Sequence, residues 1–506
     1  MEQTTGAKLI VKTLTDLGVK KVFGYTGNYI LPVFDAVKDS DIDIYVPTSE
    51  LGGAHSADGY ARATGEVGVV ITTSGPGATN LVTGIATAYM DSIPMLAITA
   101  NVPRKKLGKD SFQEVDITGV VTPITKYAHI VTDVDELEYE IKKAYALASS
   151  GRKGPVLLDI PYDILNEKVN VKNVEFTLPS LKFPDVNAIA RAVELLNEAT
   201  NPIILVGGGA LESGKEIALL SDKLSCPIVT TMRGVGAVDS ANLLGVVGYS
   251  APYHNNQRFK KADVVLALGT RFSDKLYAKS TAKKYIHVDI DLAELDKIVE
   301  TDASILGDVK EVLPLVLNGV KAKNSDNKFT RGTLKKSRLN TLANIVASLD
   351  LTDVILATDV GSHQISLLNA LGTKNHKELL SSTGLGTMGY GLPASIGAGI
   401  ATGKHVLLFT SDGSFNMNFN EIATAVKYGI NLTIVIANNR SLGMIEDIQR
   451  NKFNKRYIGI DTPNVSYPLL AKSMGARGTR LTLPRAKDVL QKALTEQGVH
   501  VYEVRI

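Results

Sequence analysis

The sequence of 506 residues contains no tryptophan and only one cysteine, Cys226. A single cysteine excludes a framework of disulfides within the chain and is typical of proteins in a reducing compartment. We expect Cys226 to be a small buried hydrophobic residue. Hydrophobic residues make up 44% of the chain and charged residues 21%. This composition predicts a soluble globular protein, and the length suggests about three domains.

The sequence also lacks a charge imbalance and a long apolar run. Its 55 Lys and Arg residues against 52 Asp and Glu residues give a net charge of +3. This balance predicts no basic surface and no nucleic-acid partner. No basic segment followed by an apolar segment starts the chain, and no apolar stretch approaches membrane length. We therefore expect a cytoplasmic protein that does not associate with a membrane.

Short apolar strands alternate with amphipathic helices along most of the chain. This alternation predicts an α/β fold with three doubly wound parallel-sheet domains. We expect an N-terminal domain at 1–165, a central domain at 185–320 and a C-terminal domain at 345–506. The intervening segments 166–184 and 321–338 are polar, which indicates linkers.

The C-terminal third contains a strand–helix–strand pattern with a polar turn after each strand. The apolar runs 406–409 and 432–437 predict strands, and they are followed by Asp412 and Asn439. Because parallel strands end at the same edge of a sheet, we expect these two side chains to lie close together. Their oxygens suit Mg²⁺, which often takes its remaining ligands from phosphates and water. Each turn alone is common in α/β folds, but the pair favours a metal site.

This unit resembles the thiamine diphosphate motif, which opens with Gly-Asp-Gly and closes with Asn-Asn in that enzyme family. Ser411 stands here in place of the first glycine, which is a mild departure. The resemblance implies one set of metal ligands and one set of diphosphate contacts. Mg²⁺ would be held by Asp412, Asn439 and the carbonyl of Ser441, and the diphosphate would contact Gly413 and Ser414.

Residues 47–127 resemble the pyrimidine-binding domain of acetohydroxyacid synthase (acetolactate synthase). The similarity rests on the strings ADGYARATG, TSGPGATN and SFQEVDITGVVTPITK. It implies that Glu50 is the catalytic acid, that Pro76 and Asn80 line the pyrimidine, and that Gln113 lies near the reacting carbons. A carboxylate bonded to the pyrimidine favours the imino tautomer, which removes the C2 proton of the thiazolium. Without the resemblance, a glutamate at a strand end would often be a solvated loop residue.

Two further strings fit the same family between residues 359 and 398. The turn DVGSHQ precedes a helix, where backbone N–H groups suit a diphosphate. The resemblance implies diphosphate contacts from Gly361, Ser362 and His363. In GLGTMGYGLPASIGA, it implies that the Gly386 carbonyl holds the pyrimidine amino group and that Met388 props the cofactor in its bent form. Without the resemblance, a lone histidine or methionine would be interpreted as a core residue.

Two positions depart from the synthase pattern near the expected substrate. The synthases usually read Gly-Tyr-Pro-Gly-Gly where this chain has Gly-Tyr-Thr-Gly-Asn, so Asn28 stands where simple decarboxylases carry an Asp. A proton donor there would favour aldehyde release over carbon–carbon bond formation. Biosynthetic synthases carry a Trp at the position of Ile448, and this Trp favours 2-oxobutyrate as the second substrate.

The resemblance implies FAD without a redox role in the central domain. The glycine triplet 207–209 is weak evidence for it, because tight packing between a strand and a helix explains such a triplet equally well. Ser273 and Lys275 stand where the family has Asp and Arg. Unlike Arg, Lys cannot bind an acidic group through two parallel hydrogen bonds. The sequence leaves the binding of FAD open.

We predict a thiamine diphosphate- and Mg²⁺-dependent decarboxylation of pyruvate with carboligation to a second 2-oxo acid, as in branched-chain amino acid biosynthesis. The alternatives are a non-ligating 2-oxo acid decarboxylase and a carboligase with an unusual acceptor. The combination of Glu50 with a full metal set disfavours a non-catalytic cofactor-binding protein. Because Glu50 and the metal turn lie on different domains, the resemblance implies a homodimer or homotetramer with shared active sites. It also allows for a regulatory subunit.

Overall fold

The structure is a computed structural model of the chain. It describes residues 3–178, 185–249, 251–273, 284–323, 329–330, 332–372 and 379–506. Lys275, one of the departures noted above, lies outside the described residues. In the part of the chain that the structure covers, no helix is long and apolar enough to cross a membrane.

The N-terminal domain is built on a six-stranded parallel sheet with the order β3-β2-β4-β5-β7-β6. The central strands β4, β5 and β7 are fully buried, as expected for a parallel sheet covered on both faces. The strands of this domain are β1 Gln3–Thr5, β2 Lys21–Tyr25, β3 Asp43–Tyr45, β4 Gly68–Thr72, β5 Met95–Asn101, β6 Tyr127–Ile130, β7 Pro155–Pro161 and β8 Lys168–Asn170. The helices are α1 Gly6–Asp16, α2 Leu31–Lys38, α3 Glu50–Thr64, α4 Pro76–Thr79, α5 Val82–Asp91, α6 Ile117–Val121, α7 Leu137–Ser149 and α8 Tyr162–Asn166.

The predicted linker at 166–184 is not wholly irregular. Its residues 168–170 form β8, which pairs antiparallel with β1 at the start of the chain. Val169 in the middle of β8 is buried. The first part of this polar segment is therefore attached to the N-terminal domain.

The central domain has a second six-stranded parallel sheet, with the order β11-β10-β9-β12-β13-β14. The chain starts in the middle of this sheet at β9 and adds strands first on one side and then on the other. Its strands are β9 Pro202–Val206, β10 Ile228–Thr230, β11 Leu243–Val246, β12 Val264–Leu268, β13 Lys284–Asp289 and β14 Ala303–Leu306. Its helices are α9 Val186–Glu198, α10 Gly214–Leu224, α11 Tyr253–Lys260 and α12 Val309–Gly319. Cys226 is buried here, as predicted.

The C-terminal domain has a third six-stranded parallel sheet, with the order β16-β15-β17-β18-β20-β19. Its strands are β15 Val354–Thr358, β16 Leu379–Leu380, β17 His405–Ser411, β18 Leu432–Asn438, β19 Arg477–Leu481 and β20 Val499–Arg505. Its helices are α13 Arg338–Ala347, α14 Ser362–Leu371, α15 Gly391–Thr402, α16 Asp412–Asn418, α17 Glu421–Lys427, α18 Gly443–Lys452, α19 Tyr467–Ser473 and α20 Leu483–Ala493. The segment between β17 and β18 is thus two short helices and not one.

The predicted fold class is confirmed, because each of the three domains is a parallel sheet with helices around it. The N-terminal and C-terminal domains pack closely through α3 and α15. A Cβ added at Gly59 would lie 2.0 Å from the Ala394 carbonyl oxygen, and one added at Gly397 would lie 1.8 Å from that of Ser56. Backbone therefore meets backbone where the two helices cross, and only glycine fits at these two positions.

Candidate active site

Glu50 is the first residue of α3, at the carboxyl edge of the N-terminal sheet. The preceding Ser49 caps this helix, because its Oγ accepts a hydrogen bond of 3.1 Å from the Gly52 N–H. The Asn80 side-chain amide donates to Glu50 Oε2 at 2.9 Å. The structure therefore joins the predicted catalytic acid directly to a residue that is predicted to line the pyrimidine.

A tight turn at Gly75 places Pro76 and Gln113 beside this pair. Gly75 has φ +58°, and a Cβ at this position would lie 2.9 Å from the Gln113 Cα. Gln113 itself has φ +62°, a left-handed conformation that is uncommon for a residue other than glycine. Such local strain is frequent at functional sites. Pro76 is exposed at the start of α4, and Gln113 is half-buried.

Asn28 lies at the same edge of the sheet, but among the described residues no hydrogen bond joins it to Glu50. It begins a short 3-10 helix after β2, and its side chain is exposed. Thr73 lies between the Asn28 loop and the turn beside Glu50. A Cβ added at Gly27 would lie 2.5 Å from the Thr73 methyl group, and one added at Gly77 would lie 2.7 Å from it. Sequence reasoning did not single out Thr73, which resembles many other strand-end threonines.

The predicted metal ligand Asp412 lies where β17 ends and α16 begins, and it is only 1% exposed. Its Oδ2 accepts a hydrogen bond from the Thr462 hydroxyl, and its carboxylate also accepts one from the Asn439 backbone N–H. Its Oδ1 is buried and has no hydrogen-bond partner. Burial raises the pKa of the Asp412 carboxyl, and a bound cation would favour the ionised form. A buried carboxylate oxygen without a partner fits a metal ion.

Asn439 and Ser441 lie beyond the end of the neighbouring strand β18, as the sequence predicts. Asn439 is exposed, and its Oδ1 accepts a weak hydrogen bond of 3.4 Å from the Ser441 N–H. Ser441 forms an isolated bridge with Asp461, which brings the segment containing Thr462 to the metal turn. Among the described residues no cluster of three His, Cys, Asp or Glu could hold a metal. The predicted ligands themselves are the Asp412 carboxylate with amide and carbonyl oxygens from Asn439 and Ser441, and such ligands suit Mg²⁺.

The predicted diphosphate contacts converge beside this metal turn. Gly361 caps α14 with φ +148°, and a Cβ there would lie 3.0 Å from the His363 ring. Ser362 begins α14, so backbone N–H groups at this helix start are available to an anion. The hydroxyl of Ser414 donates to the Val360 carbonyl oxygen at 2.5 Å and thereby joins the two turns.

His363 is buried under this helix start and packs edge-to-face on Phe409. Its Nε2 has no hydrogen-bond partner. Burial lowers the pKa of His363 to about 3, so the ring is neutral at pH 7. Any contact with a diphosphate would therefore be made by a neutral imidazole and not by a cation.

Met388 and Leu442 lie close to Gly413. A Cβ added at Gly413 would lie 2.8 Å from Leu442 Cδ2 and 3.6 Å from Met388 Cε. Gly386, in the same segment as Met388, has φ +77°. The two apolar side chains are of the kind expected to support an aromatic ring. Leu442 and Thr462 were missed by sequence reasoning, because neither follows an apolar strand directly and neither belongs to a glycine-rich string.

The predicted residues thus form two clusters in one chain. The pyrimidine cluster contains Glu50, Asn80 and their neighbours on the N-terminal sheet, and the diphosphate cluster surrounds Asp412 on the C-terminal sheet. In the described parts of the chain, no hydrogen bond or ion pair joins a residue of one cluster to a residue of the other.

A cavity of about 420 Å³ opens at the carboxyl edge of the central sheet. It lies where the strand order reverses between β9 and β12, which is where open α/β sheets bind ligands. The glycine triplet borders the cavity but is closely packed: a Cβ at Gly208 would lie 2.4 Å from Arg233 Cγ, and one at Gly209 would lie 2.9 Å from Gly269 Cα. Arg233 lines the cavity, and its Nε is buried without a partner. Asp91, which also lines the cavity, is one anionic neighbour of Arg233, and the unpartnered Nε fits a further acceptor such as a phosphate oxygen.

Three family models match the chain in the order of its domains. Residues 4–120 match the thiamine pyrophosphate enzyme N-terminal TPP binding domain, 189–316 the central domain, and 359–504 the C-terminal TPP binding domain. The two TPP binding domains contain the pyrimidine cluster and the diphosphate cluster. The fold and the site therefore define a thiamine diphosphate enzyme.

The curated relatives narrow this class. Acetolactate synthase of Arthrospira platensis is 37% identical, and the alignment covers all of this chain and 95% of the relative. Acetolactate synthase large subunit of Lactococcus lactis subsp. lactis (strain IL1403) and the probable acetolactate synthase large subunit of Methanocaldococcus jannaschii are each 36% identical, over 99% of this chain and 92% of each relative. The chain belongs to the acetolactate synthase family.

Proposed function

We propose that the protein is an acetolactate synthase, which decarboxylates pyruvate and joins the resulting two-carbon unit to a second 2-oxo acid with thiamine diphosphate and Mg²⁺. The observation that carries this proposal is the buried, unpartnered Oδ1 of Asp412 beside the glycine turns at Gly361 and Gly413, where a Cβ would be crowded. Full-length similarity to acetolactate synthases supports the choice of reaction.

Thiamine diphosphate would supply a thiazolium that accepts the electrons released when CO₂ leaves. Asp412, Asn439 and the Ser441 carbonyl would hold Mg²⁺. The backbone at Gly361 and Ser362, together with Gly413 and Ser414, would bind the diphosphate oxygens, and His363 would contribute a neutral ring.

Glu50 would hold a proton at the pyrimidine ring, which Pro76 and Asn80 line, and Asn80 would orient the Glu50 carboxylate. Met388 would support the cofactor in its bent form, and the Gly386 carbonyl would accept a hydrogen bond from the pyrimidine amino group. Gln113, in its left-handed conformation, would lie beside the substrate.

Cofactor removal tests this proposal. Protein treated with a chelator and dialysed should consume no pyruvate, and activity should return only when thiamine diphosphate and Mg²⁺ are both added. Consumption of pyruvate without either one would contradict the proposal. Asp412→Asn should raise the Mg²⁺ concentration needed for half-maximal activity by at least about tenfold, because it removes the charged ligand.

Asn28 favours a second candidate, a decarboxylase that releases an aldehyde. Its side chain is exposed at the edge of the sheet that also holds Glu50. There it could donate a hydrogen bond to a bound intermediate. Ile448, in place of the family's Trp, likewise suggests a carboligase with an unusual acceptor. The product assay at the end of the Discussion separates these reactions.

We further propose that the central cavity holds FAD, with no part in the chemistry. The site at the reversal of strand order and the partnerless Nε of Arg233 support an anionic dinucleotide. An absorption spectrum of the purified protein tests this directly. One flavin per chain is expected, and Arg233→Met should lower this content, whereas purified wild-type protein that contains no flavin and binds none when FAD is added would contradict the proposal.

The family to which the chain belongs also suggests which protein partners it has. We propose a homodimer or homotetramer in which each active site combines the pyrimidine cluster of one protomer with the diphosphate cluster of its partner. Several relatives are named as large subunits, which supports the further proposal of a regulatory small subunit.

A further inference from the structure

Residues 381–390, called here the cofactor loop, carry Gly386 and Met388 between β16 and α15. Its own domain holds the end of this loop through Asp359, whose carboxylate accepts from the Gly389 N–H at 2.9 Å and the Gly391 N–H at 3.2 Å. The first half of the loop is also held by α14 of the same domain, where Gln364 Nε2 donates to Ser381 Oγ at 2.7 Å and to the Ser382 carbonyl oxygen at 3.1 Å. Residues 381, 383 and 384 make further polar contacts outside this domain. They lead to the N-terminal domain of the same chain.

Asp91 is the residue on which these contacts converge. Its Oδ1 accepts hydrogen bonds from the Gly384 N–H at 2.7 Å and the Thr383 hydroxyl at 3.0 Å. Its Oδ2 accepts from the Thr383 N–H at 3.1 Å and from Arg62 Nη2 at 2.8 Å. Three of these four bonds come from the cofactor loop. The Asp91 side chain is only 2% exposed, so little water competes for them.

Arg62 extends the same network. Its Nη1 donates to the Ser381 carbonyl oxygen at 3.0 Å, and its Nε donates to Asp58 Oδ1 at 2.6 Å. Asp58 also accepts from the Tyr390 hydroxyl at 2.7 Å, at the other end of the cofactor loop. Both ends of the loop are therefore tied to one buried ionic cluster that belongs to another domain.

Asp91 ends α5, where a negative charge is unfavourable because the helix dipole is negative at its C-terminus. The cofactor loop also approaches the end of α5 closely, since a Cβ added at Gly384 would lie 2.5 Å from the Met90 carbonyl oxygen. Burial tends to raise the pKa of Asp91, but the guanidiniums of Arg62 and Arg233 hold it below its usual value. The carboxylate is therefore ionised and accepts all four bonds.

We propose that Asp91, supported by Arg62, is a positioning residue that holds the cofactor loop in the conformation required to bind the pyrimidine half of thiamine diphosphate. The proposal rests on the proposed function for the role of Gly386 and Met388. It assigns a second task to the N-terminal domain: besides supplying Glu50, this domain shapes the cofactor loop of its own chain.

The test uses Asp91→Asn in the full-length protein. Asparagine keeps the shape but replaces one acceptor oxygen by a donor, which faces donors in the loop or in Arg62. In cofactor-free protein, we expect backbone hydrogen exchange in peptides covering 381–390 to be at least about tenfold faster. Affinity for thiamine diphosphate, measured by calorimetry with Mg²⁺ present, should fall about tenfold, and C2 proton exchange of the bound cofactor should slow by a similar factor.

Asp163→Asn is the matched control. Asp163 also lies in the N-terminal domain and also pairs with an arginine, since it accepts from Arg104 Nε at 2.8 Å. It has no contact with the cofactor loop among the described residues. This variant should leave exchange at 381–390 and cofactor affinity unchanged.

A milder variant covers the case in which Asp91→Asn does not fold. The Thr87 and Thr387 hydroxyls are 2.7 Å apart, and this pair also joins α5 to the cofactor loop. Thr87→Val should speed loop exchange and weaken cofactor binding about threefold. If the folded variants match the wild type within about twofold in both measurements, the proposal is wrong. Neither measurement needs a 2-oxo acid, so a wild type that binds the cofactor but makes no acetolactate would contradict the proposed function alone.

Discussion

At the scale of single residues, the account depends most on Glu50. We expect Glu50→Gln to lower the rate of acetolactate formation by at least about 100-fold, because the amide cannot exchange a proton with the pyrimidine ring. Thiamine diphosphate binding, measured by calorimetry, should change little. Glu66→Gln is a suitable control, since Glu66 follows the other end of α3 and its carboxylate accepts a hydrogen bond from the Tyr60 hydroxyl. A Glu50→Gln variant with normal activity would remove Glu50 from the mechanism.

A second residue-scale prediction concerns Asp159, which is buried in β7. Burial raises its pKa from the ordinary 3.8 to about 7, while Thr99 and Asn101 donate hydrogen bonds to it. The folded state therefore keeps this proton between about pH 4 and 7, where the unfolded chain loses it. This contribution to stability is present at acidic pH and is lost as the pH rises through that range.

Asp159→Asn removes this titration. The free energy of unfolding of the variant, relative to the wild type, should increase between pH 5 and pH 8 by roughly 2.6 kcal/mol. Denaturant unfolding at both pH values measures the difference. A difference that does not change with pH would show that Asp159 is ionised in the folded protein.

At the scale of elements, the crossing of α3 and α15 positions both halves of the site. Gly59→Ala would place a methyl group 2.0 Å from the Ala394 carbonyl oxygen. We expect a loss of at least about 3 kcal/mol in the free energy of unfolding or a failure to fold. Gly53→Ala on the same helix is the control, because its nearest neighbours are at 3.4 Å and 3.5 Å. The free energy of unfolding of Gly53→Ala should stay within about 1 kcal/mol of the wild-type value. Equal stability of both variants would contradict the close helix packing.

The positions of residues relative to helices and strands explain which parts of the site could be predicted from the sequence. Asp412 and Asn439 were predictable because each follows an apolar strand, and parallel strands end at a common edge. The contribution of Thr462 was not, since it approaches Asp412 from a loop with no periodic pattern. Asp91 was equally hidden, because its partners Thr383 and Gly384 are nearly three hundred residues further along the chain. Contacts between domains leave no local signal in a single sequence.

At the scale of the whole molecule, the proposed dimer with shared active sites makes a specific prediction for mixed dimers. At a Mg²⁺ concentration that saturates the wild type but not Asp412→Asn, the Glu50→Gln and Asp412→Asn variants should each have little activity alone. When the two variants are co-expressed, half of the dimers should be mixed, and each mixed dimer should contain one intact site. Activity should therefore return to roughly a quarter of the wild-type value. No recovery in verified mixed dimers would indicate that each active site is formed within a single chain.

The central claim is the ligation of two 2-oxo acids, and product analysis tests it most directly. Purified protein would be incubated with pyruvate, thiamine diphosphate and Mg²⁺, and the mixture followed by NMR, with Glu50→Gln as the inactive control. The account predicts acetolactate and CO₂, with one CO₂ released for every two pyruvate molecules consumed. Acetaldehyde as the product, with one CO₂ for each pyruvate, would contradict it and point to Asn28 and the decarboxylase reaction.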